Sequence, residues 1–417
     1  MNIYKHISRS LGFPLKGVRW FCLLPLVFCL LASCGKDRTY EYEERTVGCH
    51  QLQDLMVEWY LWGDSIKDLD WQQYFAKPTD FISKLTAQSK ANDKWSYCLM
   101  DTVETDPLPC GYFNRIDSYG MDVVLMTDPT GETSKQYARV VTVYADSPAE
   151  RCGLQRNDFI GVVDGNKMAS TVIKNLVSGR SRTLVVSRLG VDSAGETFYW
   201  TGTDTIAMDK SERVEVPAVM VSRLFDGTVG YVMLSDLSDT ERIVSVLTRL
   251  RTSPLTDCIV DLRLCNRGTI DCVWEVAKLL AQGEGTFLQT IWNDAKATNN
   301  RSYTVKGTAN FTVYFITSGY TQGAAEWLIH GLRGMSPDGV YVVGTKTAGQ
   351  NVMLKAIPSD YQFTIYPAVA YVADKDGSYD YAGGISPDEV IDEMQYVALY
   401  PYGSPYEVLI HHILSLL

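Results

Sequence analysis

The second half of the chain alternates short apolar runs with amphipathic segments, and this alternation restricts what it can fold into. From residue 213 to residue 417, runs with the composition of buried strands precede segments whose apolar residues recur at helical spacing. Examples are VGYVMLSDL before DTERIVSVLTRLRT, DCIVDLRL before TIDCVWEVAKLLAQ, and FTVYFITSG before AAEWLIHGLRG. Strands that alternate with helices are typical of a layered α/β domain with mostly buried strands. We therefore predict a layered α/β core over residues 213–417.

Two segments with other patterns precede this core. Residues 111–212 contain short β-type runs separated by turns, such as GMDVVLMT, ARVVTVY and RTLVVSRLG, which predict a small β domain. Residues 47–110 have apolar residues at helical spacing and predict a small helical cap, with Asp80 as a candidate N-cap before FISKL. The 417 residues are too many for one ordinary core. We therefore predict a multidomain chain of mixed α/β (α+β) class.

The first 33 residues are predicted to be a signal peptide. An apolar run at 21–31 (FCLLPLVFCLL) follows a basic segment and is shorter than the roughly 20 apolar residues that a membrane span needs. The run leads into Leu-Ala-Ser-Cys, which resembles a bacterial lipobox and implies lipidation of Cys34, with residues 34–46 as a tether. Because Gly35 follows, resemblance to known lipoproteins implies an outer-membrane location, periplasmic or surface-facing. The alternative is an ordinary secretion signal.

Charge and cysteine content exclude several functions. The formal net charge is -11, and it becomes about -15 once the four basic residues of the signal peptide are removed, which argues against nucleic-acid binding. The ten cysteines include no CxxC pair and no plausible zinc set, so we expect no metal and no cofactor. Export permits disulfides, and Cys98 with Cys110 is a candidate pair.

Residues 147–165, SPAERCGLQRNDFIGVVDG, resemble the core of a PDZ domain. Ser-Pro-Ala opens a short helix, Gly153 closes it, and Asp164-Gly165 forms a tight turn. PDZ domains add an extended peptide to an exposed sheet edge. The resemblance therefore implies an exported polypeptide or a protein C-terminus as partner. The alternative is a PDZ-like domain that only packs against its neighbour.

The residues to which this resemblance assigns peptide binding stand just before and within the expected edge strand. They are Tyr119, Gly120, Met121 and Asp122. Gly120 suits a tight backbone, whereas the acidic Asp122 is unfavourable for a ligand carboxylate.

Several markers in the α/β segment occur in the order found in the C-terminal processing peptidases, or tail-specific proteases, which the chain resembles. The markers are Gly230-Tyr231-Val232, Asp261-Leu262-Arg263, Glu326, Val342-Val343-Gly344 and Gly384-Ile385-Ser386-Pro387-Asp388. This family consists of serine endopeptidases with a PDZ domain ahead of an α/β core.

The resemblance also indicates that the catalytic residues are substituted. Active members carry a serine nucleophile in Ser-Ala-Ser-Glu and a lysine base after a Val-Val-Gly strand. Here the nucleophile position is Gly323 and the lysine position is Gln350. A glycine has no nucleophile, and an amide does not titrate in the useful range. Backbone N–H groups of Gly268 and Ala324 correspond to the oxyanion site, where Arg267 replaces a glycine of the family.

The sequence thus favours a pseudo-peptidase that binds polypeptides without cleaving them. One alternative is an active serine-type endopeptidase with an atypical site, in which Thr321 pairs with Lys346 or Ser318 acts as nucleophile. Cys265 is better interpreted as a buried thiol than as a nucleophile. A further alternative is a glycan- or partner-binding lipoprotein, because 25 tyrosines and nine tryptophans allow stacking surfaces.

Overall fold

The computed structural model describes residues 42, 44–70, 76–89, 93–102, 105–108, 111–114, 117–132, 134–191 and 198–417. The predicted signal peptide, Cys34 and Cys110 lie outside these residues. Within the described part of the chain, no helix combines the length and apolar character needed to cross a bilayer. The mixed α/β fold predicted from the sequence is confirmed.

The N-terminal helical region shares an apolar core with residues 352–368 and is also joined to this part of the chain by strand pairing. Its elements are α1 (Cys49–Trp59), a short 3-10 helix (Gly63–Ser65), α2 (Pro78–Gln88), β1 (Tyr97–Met100), β2 (Thr105–Leu108) and β3 (Gly111–Asn114). Leu52, Met56, Phe81 and Leu85 are fully buried between the two helices.

One sequence prediction for this region is wrong. Helix α2 begins at Pro78 with Lys77 as N-cap, and Asp80 lies in its first turn. Proline fixes φ near the helical value and needs no N–H partner at the first position, so the helix starts earlier than predicted. Cys98 carries a free, buried thiol, and its predicted disulfide partner Cys110 lies outside the described residues.

Residues 121–208 form an antiparallel sheet with its own core. The elements are β4 (Met121–Thr127), β5 (Gln136–Val143), α3 (Pro148–Arg151), β6 (Phe159–Val163), β7 (Asn166–Lys167), a 3-10 helix (Ile173–Leu176), β8 (Arg182–Val191) and β9 (Phe198–Met208). The strand order is β4-β5-β6-β8-β9, so β4 and β9 are its edges. Ser147 caps α3 by accepting a hydrogen bond from the Glu150 N–H at 3.2 Å.

The rest of the chain forms the α/β core. Its strands and helices are β10 (Val219–Phe225), β11 (Val229–Leu234), α4 (Thr240–Leu250), β12 (Asp257–Asp261), α5 (Ile270–Leu280), β13 (Glu284–Trp292), β14 (Arg301–Lys306), β15 (Thr312–Thr317), α6 (Ala324–Met335), β16 (Val340–Gly344), β17 (Val352–Leu354), β18 (Ile357–Pro358), β19 (Phe363–Tyr366), β20 (Ala368–Ala373), β21 (Glu389–Val390) and α7 (Val408–Leu416). Short 3-10 helices span Asp294–Asn299, Pro337–Gly339 and Glu393–Gln395.

The main sheet of the core has helices on both faces. Its order is β10-β11-β12-β15-β16-β21, with β11, β12, β15 and β16 parallel. Alternate residues of β11 face opposite sides: Val232 packs with α4, α5 and α6, and Tyr231 packs against α7. A second sheet, β14-β13-β20-β17, lies beyond α6, and β19 pairs with β1 of the N-terminal region.

The topology brings three connecting segments to one edge of the main sheet. Strands β12, β15 and β16 are neighbours, and their carboxyl ends lead into residues 262–269, 318–323 and 345–351. In parallel α/β sheets, ligands and catalytic groups gather at this edge. The segments that carry Gly268, Gly323 and Gln350 therefore converge there.

Candidate active site

Gly323 occupies a strained turn between β15 and α6. Its backbone has φ +59° and ψ −112°, and it is the N-cap residue of α6. A sharp turn from strand to helix is how several hydrolase folds present a nucleophilic side chain above a sheet. The backbone geometry suited to a nucleophile is present, but the residue itself has no side chain.

Glu326 ties this turn to the segment that carries Gln350. Its fully buried carboxylate accepts hydrogen bonds from the backbone N–H groups of Gly323 at 3.0 Å, Gly349 at 2.6 Å and Gln350 at 2.7 Å. The hydroxyl of Thr347 also donates to it. Burial raises the pKa of Glu326 above its ordinary value, although these donors oppose the shift. The carboxylate thus fixes two segments of the site against each other.

The side chain of Gln350 is fully buried and engaged by a second glutamine. The Gln322 Nε2 donates to Gln350 Oε1 at 2.7 Å, and the Gln350 Nε2 donates to the Val352 carbonyl at 3.2 Å. The Trp327 indole N–H donates to the Gln350 carbonyl at 3.0 Å. We call the Gln322–Gln350 contact the amide clamp. It is a neutral structure with no basic group that could accept a proton from an alcohol.

The residues predicted for the oxyanion site are brought together. A Cβ placed on Gly268, whose φ is +157°, would lie 2.8 Å from the Cβ of Ala324 and 2.7 Å from the Leu237 carbonyl oxygen. Only glycine allows this close backbone approach. Ala324 is the first residue of α6, where N–H groups lack an intrahelical partner. The neighbouring Arg267 donates to Asp236 at 3.0 Å, and this ion pair is largely buried.

The hydroxyl and amine groups considered as replacements are not arranged for catalysis. Ser318 Oγ donates to the Arg263 carbonyl at 2.6 Å, and Thr321 Oγ1 donates to the Leu262 carbonyl at 2.9 Å. Both hydroxyls therefore hold the turn in place. Lys346 is exposed, and the Lys355 ammonium lies 3.8 Å from the centre of the Trp59 ring. No Ser–Lys or Thr–Lys hydrogen bond joins these four side chains, all of which belong to the described residues.

Two other candidates also have structural contacts. The Cys265 thiol is fully buried, and its sulfur lies 3.9 Å from the Arg267 carbonyl oxygen. His330 Nε2 contacts the Ser378 carbonyl at 2.7 Å, and its ring packs on Tyr381. Across the described ranges, no cluster of histidine, cysteine, aspartate and glutamate side chains could hold a metal ion.

The residues predicted to bind peptide lie on the antiparallel sheet, away from the strand ends that carry Gly323 and Gln350. Tyr119 is fully buried and its hydroxyl contacts the Arg182 guanidinium at 3.2 Å. Gly120 has φ +75°, and a Cβ there would lie 2.1 Å from the Ser147 Cβ, so the tight backbone requires glycine. Met121 begins β4, and the Asp122 carboxylate accepts a hydrogen bond from the Tyr144 hydroxyl at 2.7 Å.

Sequence comparison assigns the α/β core to a peptidase family. Residues 228–391 match the model of peptidase family S41, so this part of the chain is a peptidase family S41 domain and the family resemblance is confirmed. The chain is 23% identical over 273 residues to the carboxy-terminal processing protease CtpB of Bacillus subtilis (strain 168). The match covers 63% of this chain and 54% of CtpB, so the chain spans about half the length of this curated relative.

A solved structure supports the fold. The chain matches a crystal structure from Bacteroides fragilis NCTC 9343 assigned to the S41 proteases, with a TM-score of 0.76 and 24% identity. The match covers 88% of this chain and 96% of that one. At this identity the likeness establishes the S41 protease fold, and the chemistry must be argued from the site itself.

Replacing Glu326 with glutamine is expected to destabilise the protein by about 2–3 kcal/mol, because a buried acceptor of several hydrogen bonds would present its own N–H₂ to donors. Urea unfolding of the variant measures this loss. Glu241→Gln, on the exposed side of α4, is the matched control and should leave the free energy of unfolding nearly unchanged. Equal effects of the two substitutions would contradict the anchoring role of Glu326.

Proposed function

We propose that this protein binds extended polypeptides on an S41 peptidase scaffold without cleaving them. The observation that carries the proposal is the pair Gly323 and Gln350, because a hydrogen atom and a neutral amide stand where the family uses a nucleophile and a base. The proposal includes attachment to the outer membrane through a lipidated Cys34, periplasmic or surface-facing.

The edge strand β4 supports the binding role. The N–H and C=O of Val140 are bonded to Asp158 and Asn157 on the far side of β5, at 2.8 Å each. Val140 lies opposite Val123 in the antiparallel pairing with β4. When the backbone N–H and C=O of one residue face away from the neighbouring strand, that residue and the one opposite it form a non-hydrogen-bonded pair. Val123 therefore directs its N–H and C=O to the open edge, where an added strand would pair.

The contacts around Tyr119 and Gly120 favour an extended segment over a terminal carboxylate. The Tyr119 N–H donates to the Val177 carbonyl at 3.3 Å, and the Gly120 N–H donates to the Ser118 hydroxyl at 2.9 Å. Two N–H groups predicted to receive a carboxylate are thus used within the fold. The exposed side chains of Val124 and Val177 add apolar surface beside the strand.

Peptide binding at β4 is tested by fluorescence polarisation with labelled ten-residue peptides of alternating apolar and polar residues, each with a free or an amidated C-terminus. We expect both forms to bind, and Val123→Pro to weaken binding at least about tenfold because proline lacks the N–H that an added strand requires. Val191→Pro, at the exposed end of β8, is the matched control and should bind as the natural protein does.

Circular dichroism of both proline variants establishes whether the sheet is retained. Absence of binding by every peptide would overturn the proposal, as would equal binding by the two variants. Binding only of peptides with a free C-terminus would assign recognition to the carboxylate and contradict the preference for an extended segment.

A further inference from the structure

A cavity of about 530 Å³ lies between the N-terminal helical region and the loop that follows β20. This volume is within the range of pockets that hold small ligands. The residues around it come from five parts of the chain, namely Trp62, residues 93–95, residues 351–352, Tyr371 and the loop at 377–382. The cavity is therefore a composite site that only the folded chain creates.

Aromatic side chains form much of its wall. Tyr371 and Tyr379 are stacked with ring centroids 4.0 Å apart and planes 14° from parallel. Trp62 meets Tyr371 edge-on at 5.8 Å, and its indole N–H donates to the Tyr371 hydroxyl at 3.1 Å. Trp95 also lines the cavity. These contacts hold the aromatic rings in fixed positions, and Tyr379 is 39% exposed.

The polar residues of the wall carry both signs of charge. Asp380 provides an exposed carboxylate, Lys94 an ammonium and Asn351 an amide, whereas Asp93 Oδ1 accepts from the Trp95 and Ser96 N–H groups at 2.8 and 3.3 Å and its Oδ2 is buried. The Lys94 ammonium donates to the Ala348 carbonyl at 3.1 Å and lies 4.8 Å from the centre of the Trp95 ring. The Lys94 ammonium already occupies the face of Trp95, which leaves that face unavailable to a second cation, and the two carboxylates disfavour an anionic ligand.

Rigid aromatic faces combined with fixed donors and acceptors suit a ligand that has apolar C–H faces and many hydroxyl groups. Carboxylate, amide and ammonium groups can each hydrogen-bond a hydroxyl, which both donates and accepts. We propose that this cavity binds a neutral carbohydrate. The site is separate from the β4 edge, so the protein has two recognition surfaces of different chemistry.

Isothermal titration calorimetry and tryptophan fluorescence with maltohexaose, cellohexaose, xylohexaose and mannohexaose test this proposal. At least one hexasaccharide should bind and change the emission, because Trp62 and Trp95 line the cavity. Tyr379→Ala removes an exposed stacking ring and Asp380→Ala removes an exposed carboxylate. Each should weaken binding at least about tenfold.

Tyr199→Ala, at a 50% exposed position on β9, is the matched control and should leave carbohydrate binding unchanged. The proposal is overturned if none of the four hexasaccharides binds at millimolar concentration, or if the three variants bind equally. Preferential binding of a lysine-rich peptide at the cavity would assign it to a cation and also overturn the proposal. Val123→Pro should not alter carbohydrate binding, which separates this site from the peptide site.

Discussion

Substituting Gly323→Ser and Gln350→Lys together is expected to produce a measurable peptide-hydrolysing activity. Gly323 already has the strained backbone of a strand-to-helix turn, and a serine there would incur about 1–3 kcal/mol of backbone strain. Position 350 is fully buried, so the pKa of a lysine introduced there would fall towards the range of a general base. Gly268 and Ala324 remain close together for the developing oxyanion.

The amide clamp is the foreseeable obstacle to this restoration. The Gln322 side chain reaches Gln350, so a lysine at 350 would meet an amide N–H₂ at the place where it needs the serine hydroxyl. Adding Gln322→Ala removes that competing group. We therefore expect the triple variant to be more active than the double variant.

The measurement is release of fluorescence from labelled β-casein in the presence of EDTA. The natural protein should release fluorescence no faster than buffer alone. Each single variant should also stay at this rate, because the nucleophile and the base act as a unit. The double variant should exceed the natural protein by about 100-fold or more, since a positioned general base typically contributes at this scale.

Inhibition of the restored activity by a fluorophosphonate that labels the introduced serine would locate the chemistry. Cleavage of casein by the natural protein, surviving EDTA, would refute the pseudo-peptidase proposal. A folded triple variant without activity would show that loss of the two side chains is not the sole defect.

The positions Gly323 and Gln350 could be located from the sequence through its resemblance to the C-terminal processing peptidases. Gly323 comes after β15 and Gln350 after β16, and both strands are short apolar runs in an alternating α/β pattern. Parallel strands place their carboxyl ends on one edge, and the strand order seen in the structure makes β15 and β16 neighbours there.

Other features could not be predicted because they depend on side chains distant in sequence. The amide clamp joins residues 28 positions apart, and a glutamine at 322 has no local pattern that identifies its partner. The only feature of the sequence that points to this contact is the presence of glutamine both at position 350 and next to Gly323. Likewise, local propensity favours aspartate at an N-cap and predicts Asp80 in that position, whereas Pro78 determines where the helix begins.

The buried guanidinium of Arg263 also depends on side chains that are distant in sequence. Its side chain is 1% exposed and pairs with Asp261 at 2.7 Å, Glu393 at 2.7 Å and Glu407 at 2.8 Å. Glu407 lies 144 residues away and caps α7. Glu393 also pairs with Arg156 of the antiparallel sheet, so one cluster joins three parts of the chain.

Arg263→Met is expected to reduce the free energy of unfolding by about 3–5 kcal/mol, because it leaves the buried carboxylates of Asp261 and Glu407 without the charge that balances them. Urea unfolding at neutral pH measures this loss. Arg249→Met, on the exposed side of α4, is the matched control and should change stability little. A loss no larger than the control's would contradict the role of the cluster.

The dependence on pH gives a second, independent readout. Burial alone would raise the pKa of Glu407, but Arg263 and the Ile410 N–H hold it below its ordinary value. A carboxyl group whose pKa is lower in the folded protein contributes stability above its unfolded pKa, and that contribution is lost as the pH falls through the folded pKa. In Arg263→Met the contribution is already absent, and acid removes the repulsion among the carboxylates. The difference in the free energy of unfolding between the natural protein and Arg263→Met should therefore become smaller below about pH 4.5. If this difference stays constant as the pH falls, the loss of stability comes from lost packing and not from lost charge pairing.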